Sequence, residues 1–166
     1  MVLLVTTAVL VSEGGLGGGH AETTDTSPHL VSAAGLRELE DTLGHSVYWA
    51  GRRPPTRIEL TQRAEGAVYL HYLPPRVEPG DPDQGFLTVG TYPVSDPVAT
   101  LERAAASSGT EVEPGPGDGV IFRNTSTPGS VYLAYPDSDL QIEAFDPVPG
   151  RSLHLIRSGA IAPVGG

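Results

Sequence analysis

The chain contains no cysteine, no lysine, one tryptophan and one methionine. Without cysteine there are no disulfides, thiolate nucleophiles, zinc–thiolate centres or iron–sulfur clusters. A lipid-modified N-terminal cysteine is excluded with them. A cysteine-free domain is stable in any redox compartment, so thiol usage does not locate it. Without lysine, ten arginines face 20 acidic residues and the formal charge is −10. Such an acidic chain has no electrostatic attraction to nucleic acid or anionic lipid. The sequence also has no G-x-S-x-G, S-x-x-K, P-loop or HExxH. A framed serine nucleophile, a phosphate cradle and a helical metal site are therefore not indicated, and no metal or cofactor is expected.

The 166 residues suffice for one domain with a core, and 39% apolar with 18% charged residues is a globular balance. Glycine (21) and proline (16) together exceed a fifth of the chain, which calls for many turns and short elements. The pattern around which the rest is organised is a hairpin that occurs twice. Thr56 to Leu73 reads as two strands joined at Gly66, and Val120 to Tyr135 repeats it. Val68-Tyr69-Leu70-x-Tyr72 matches Val131-Tyr132-Leu133-x-Tyr135, and Leu87-x-Val89-x-x-Tyr92 matches Leu140-x-Ile142-x-x-Phe145. Val68, Leu70 and Tyr72 share one face of their strand, with Tyr69, His71 and Leu73 opposite.

Residues 1–12 form an apolar segment without a preceding basic residue, and 13–28 form a Gly/Thr/Ser linker. An apolar run followed by a flexible linker is the layout of a truncated signal anchor or signal peptide, and Gly19-His20-Ala21 is a small-x-small cleavage pattern. The alternative is a buried Val/Thr strand. The run is shorter than the about 20 residues of a membrane span. Residues 29–164 then form the single domain.

Within it, Ser32 is a helix N-cap, Leu36, Leu39 and Leu43 mark an apolar helical face, and Gly44 is a C-cap. His45 to Gly51 reads as a strand ended by Arg52-Arg53-Pro54-Pro55. Asp96-Pro97 and Asp146-Pro147 start two further helices. Glu111 to Gly119 reads as a loose turn region, and Ile161 to Val164 as an apolar tail. The expected fold is α+β: mostly antiparallel β-sheet with three short helices and an internal duplication of a helix-plus-three/four-strand unit. The units are 30–93 and 95–146, with a closing helix at 147–158. They should build one antiparallel sheet, or two facing sheets, with the helices on one side.

Among candidate chemical groups, His20 and His29 fall in the linker and His154 on the last helix. His45 follows a helix C-terminus, where the dipole favours a cation. His71 stands on a strand beside tyrosines. These two are the only candidates for a catalytic base; a core or capping histidine is the competing reading for each. Asp81/Asp83 and Asp137/Asp139 read as turn aspartates rather than a calcium loop. Asn124-Thr125-Ser126 is a glycosylation sequon in form only. The strongest binding pattern is aromatic. Tyr48, Trp49, Tyr69, Tyr72, Tyr132 and Tyr135, with Arg52 and Arg53, form the expected ligand-binding set, and Tyr92 falls on a strand with them. An exposed aromatic stripe beside arginine stacks on sugars or peptides; the competing reading is a half-buried sheet lined by tyrosine.

Gly44 to Gly51, Leu87 to Pro93 and Ser130 to Pro136 resemble a group of uncharacterised membrane-anchored or exported single-domain proteins of high-GC actinobacteria. The resemblance covers most of 28–164. It implies a small external domain behind an N-terminal membrane segment, and it carries no activity or site residues. The N-terminus here is shorter than the group's and lacks its basic flank. The leading expectation is a non-catalytic extracytoplasmic module at the cell membrane or secreted, binding an envelope glycan or peptide through its aromatic face. It would touch the membrane only through the N-terminus. One alternative is a small hydrolase-like enzyme with a histidine base in a cleft; another is a cytoplasmic structural subunit.

Overall fold

The structure, a computed structural model, describes residues 25–82, 85–106 and 109–166. The apolar segment 1–12, most of the expected linker with His20, and Asp83 lie outside the described residues. In chain order the elements are β1 (His29–Val31), α1 (Ala33–Leu43), β2 (Tyr48–Trp49), β3 (Arg57–Gln62), β4 (Val68–Leu73), β5 (Thr88–Pro93) and α2 (Pro97–Ala105). Then come β6 (Thr110–Pro114), β7 (Val120–Asn124), β8 (Ser130–Ala134), β9 (Leu140–Phe145), α3 (Arg151–Arg157) and β10 (Ala162–Pro163). The protein is α+β and dominated by sheet.

Eight strands form one antiparallel sheet in the order β1-β3-β4-β5-β9-β8-β7-β6. The order is that of a two-fold repeat. Each half is a three-strand meander with an added edge strand, and the halves join through β5 and β9. The register supports the correspondence residue by residue. The buried pair Leu60–Leu70 in β3–β4 has its counterpart in Ile121–Leu133 of β7–β8. The match that takes Leu87 to Leu140 takes Gly90 to Glu143, and these two are cross-strand partners at the β5–β9 seam. The pseudo-two-fold axis therefore passes between Gly90 and Glu143. Four of the remaining seam pairs respect it: Val89–Ala144 mirrors Thr91–Ile142, and Thr88–Phe145 mirrors Tyr92–Gln141.

One face of the sheet carries Leu70, Val89, Val131, Leu133 and Ile142, all fully buried. α1 covers its first half through Leu36, and α3 covers its second through Leu153, Leu155 and Ile156. α1 begins where Ser32 Oγ accepts the Gly35 N–H, and ends where Gly44, at φ 70°, returns its N–H to Glu40. Between the helices, β2 and β10 form a two-stranded patch lying over the sheet. Besides the ladder with β10, side chains satisfy the backbone of β2 and the residues flanking it. Tyr48 N–H donates to Thr91 Oγ1 at 3.0 Å, Ala50 N–H to the Tyr72 hydroxyl at 2.7 Å, and Val47 N–H to Glu40 Oε1 at 2.8 Å.

The opposite face is covered differently in its two halves. α2 packs Leu101 against Phe122 and Ala134 in the second half. The expectation of helices on one side is thus corrected. β7 reads Val-Ile-Phe, apolar on both faces, so a second layer is required there. In the first half the 74–85 loop takes the equivalent place: Gly80 N–H donates to Glu59 Oε2 at 2.5 Å and Arg57 to the Val77 carbonyl at 2.5 Å.

Four local expectations also change. The stretch from Glu111 contains an edge strand, β6, whose Glu111 and Glu113 pair with Arg123 and Arg157; charges and a terminal proline suit an edge. His29 lies in the edge strand β1 and not in a linker. Asp25 and Thr26 already bond to the end of β3 and the turn after it. Asp146-Pro147 opens a turn, with Asp146 Oδ1 accepting the Val148 N–H at 2.8 Å, and α3 starts only after Gly150 at φ 80°. Among the described residues no helix is long and apolar enough to cross a membrane.

Candidate functional site

Between α2 and the 74–85 loop, the middle of the second face has no covering element among the described residues, and the pseudo-axis emerges there. Tyr69, Gly90, Glu143 and Tyr132 lie in one row across β4, β5, β9 and β8. Tyr69 and Tyr132 are counterparts in the repeat and flank the axis. Gly90 has no side chain, and the ring of Tyr92 occupies the space: a Cβ at Gly90 would sit 2.6 Å from the Tyr92 hydroxyl. A glycine inside a strand often marks such a close approach.

The Tyr92 hydroxyl donates to Glu143 Oε2 at 2.6 Å and Ser130 Oγ to Glu143 Oε1 at 2.9 Å. The Glu143 carboxylate also acts on the Tyr132 hydroxyl. Tyr69 and Tyr92 stand edge to face, with centroids 5.5 Å apart and planes at 82°. All five side chains are half-buried. Burial, and then the Glu143 charge, push the Tyr92 and Tyr132 hydroxyls well above the usual range, so both stay protonated, and Tyr92 donates to the carboxylate. Tyr69 is raised mainly by burial. Among the described residues Glu143 has no basic ion-pair partner.

A second polar group lies one row away, where Glu59, His71 and Thr88 are successive cross-strand partners. His71 Nδ1 meets Glu59 Oε1 at 2.6 Å, and the Glu59 carboxylate is almost wholly buried. A buried carboxylate that orients an imidazole is the second half of a catalytic dyad. Two depressions on the described surface lie elsewhere, at the β6–β7 turn and beside the C-terminus of α1.

The expected binding set does not form one site. Tyr69 and Tyr132 lie on the open face. Tyr72 is buried on the opposite face with its hydroxyl bound to Ala50 N–H, pushed up to about 12 by that burial. Tyr48 stacks on Tyr135 there, centroids 6.3 Å apart. Trp49 packs with the α1 cluster. Arg53 donates to the Ala50 carbonyl at 3.0 Å, and Arg52 is exposed beside it, across the sheet from Tyr69. Of the two histidines, His45 bonds the Ser46 carbonyl through Nδ1 and leaves Nε2 buried without a partner, whereas His71 has a carboxylate. Glu143, Ser130 and Glu59 were missed, and Tyr92 was left outside the set. The repeat itself held the signal, because Gly90 and Glu143 are the residues it sets face to face. Among the described residues no group of three or more acidic or histidine side chains is placed to hold a metal ion.

No protein-family model, curated protein or solved structure matches the chain.

Proposed function

We propose that the protein is a non-catalytic binding module that uses the open sheet face around Glu143. The observation that carries this reading is the half-buried cluster of Tyr69, Tyr92, Tyr132, Ser130 and Glu143, which no element among the described residues covers between α2 and the 74–85 loop. Rigid aromatic rings with fixed hydroxyls present contact area at little entropic cost, as in many recognition surfaces. The apolar segment 1–12, the linker and the resemblance to membrane-anchored or exported actinobacterial proteins support a module outside the membrane, anchored or secreted, with envelope glycans or peptides as its ligands.

Two experiments test this. Fractionating cells that carry a C-terminally tagged chain, with protease applied from outside, should put the tag in the membrane or medium and expose it to cleavage; a protected soluble tag refutes export. Titration with envelope glycan fragments and peptides should shift the ring resonances of Tyr69, Tyr92 and Tyr132 and fail for Tyr69→Ala. Saturable binding that leaves those rings unmoved refutes the binding face.

A second reading is favoured by one distance, His71 to Glu59 at 2.6 Å: a hydrolase-like enzyme with His71 as base. It predicts turnover of an ester, amide or glycoside that disappears in His71→Gln. A panel of such substrates without turnover removes it.

A further inference from the structure

The Glu143 carboxylate accepts from hydroxyl donors alone among the described residues. Ser130 and Tyr92 bind its two oxygens, and no basic side chain among the described residues pairs with it. A half-buried anion stabilised only by neutral dipoles leaves a site one positive charge short. The rings of Tyr69 and Tyr92 stand beside it edge to face, with planes at 82°, and a tyrosine face is electron-rich. A carboxylate bracketed by aromatic rings is the arrangement that receives an organic cation.

The cation's shape follows from the occupied oxygens. A guanidinium binds a carboxylate best through both oxygens at once, and here each already accepts a hydroxyl. An ammonium is a compact point charge that needs one remaining lone pair and a ring face. The chain has no lysine of its own to fill the place, and its charge of −10 attracts a basic partner. We infer that Tyr69, Tyr92, Tyr132 and Glu143 bind the ammonium group of a lysine side chain on a basic peptide. This rests on the open face being a binding face.

The test titrates the full chain with a lysine-containing peptide and with the same peptide carrying norleucine or arginine in place of lysine. n-Butylammonium chloride and a neutral glycan fragment complete the series at matched ionic strength. The tyrosine ring resonances are the readout. The lysine peptide should shift Tyr69, Tyr92 and Tyr132, and the norleucine peptide should not. Glu143→Gln should weaken binding at least about tenfold, roughly the worth of one charge-assisted contact. Tyr69→Leu, which keeps an apolar side chain, should weaken it as well, with folding of both variants checked by circular dichroism. Equal binding of the arginine peptide overturns the ammonium assignment, and equal binding of n-butylammonium overturns the peptide source. A glycan that shifts these rings when the lysine peptide does not overturns this inference and leaves the binding face standing. If no ligand moves them, both fall.

Discussion

Gly90→Ala is the sharpest test of the architecture at the axis. Gly90 has ordinary strand geometry, so alanine is permitted by the backbone and taken alone should stabilise by about 0.5–1 kcal/mol. The obstacle is the ring of Tyr92: a Cβ would lie 2.6 Å from its hydroxyl oxygen and 2.8 Å from Cζ. The ring must leave, giving up the bond to Glu143 (about 1.5–3 kcal/mol for a charged acceptor) and the edge contact with Tyr69 (about 0.5–1.5 kcal/mol). The net expected cost is about 1–4 kcal/mol. In a Tyr92→Ala background the obstacle is gone, and Gly90→Ala should be neutral or stabilising. Urea denaturation of the four proteins, followed by far-ultraviolet circular dichroism, yields the coupling between the two positions. An equal penalty in both backgrounds would show that the glycine is required by its backbone or another neighbour, and the account of the axis would fail.

Three further outcomes are expected. Tyr72→Phe removes the acceptor of the Ala50 N–H in a buried position and should cost about 1–3 kcal/mol, with faster hydrogen exchange at Ala50; unchanged exchange would mean that water or another group already serves that N–H. Glu59→Ala leaves His71 and the Gly80 N–H without their shared partner, so stability should fall by about 2–4 kcal/mol and limited proteolysis should open the 74–85 loop first; cleavage elsewhere first would refute the loop's anchoring. All six tyrosines have hydroxyls raised above the ordinary 10.0, by burial first, with Tyr72 up to about 12. The folded state then holds protons that the unfolded state releases. The stability they contribute is complete below pH 10 and lost as pH rises above it, through the folded-state values. Tyrosinate absorbance should rise late and cooperatively in the native protein but near 10 in guanidinium; a native titration centred at 10 would refute the burial argument.

The elements that the sequence made legible are those whose signals are local. Ser32, Gly44 and Asp96-Pro97 sit where cap chemistry requires them, and alternation in β3, β4 and β9 follows from one covered face. Asp146-Pro147 misled because the same dipeptide serves a turn as well as a helix start, and only Gly150 separates the two outcomes. β6 was hidden because an edge strand need bury almost nothing: Val112 is half exposed and its neighbours are glutamates. The aromatic set was scattered because period-two alternation assigns faces within a strand but does not say which faces of different strands coincide. That requires register. Tyr69 and Tyr72, three residues apart, necessarily fall on opposite faces. His45 to Gly51 forms no part of the main sheet; it lies over it, which carries Tyr48 and Trp49 away from the open side.

The repeat explains why the polar cluster sits where it does and why it could not exist in a perfectly symmetric molecule. A residue at the axis faces its own counterpart. Two glutamates there would set like charges directly opposite one another, and two glycines would supply no charge. In a single chain the two positions are free to differ, and they do: Gly90 on β5, Glu143 on β9. The same holds one step along each strand, where Tyr92 brings a hydroxyl to the carboxylate and its counterpart Phe145 packs beside Gly129. It holds for the layers too. Val120, Phe122 and Ala134 call for a helix, whereas the matching Glu59, Thr61 and His71 accept a hydrogen-bonded loop. Tyr69 and Tyr132 alone keep their identity in this row, on either side of the axis. The conserved geometry of the two halves thus builds the platform, and the departures from symmetry, concentrated on one face, supply its chemistry.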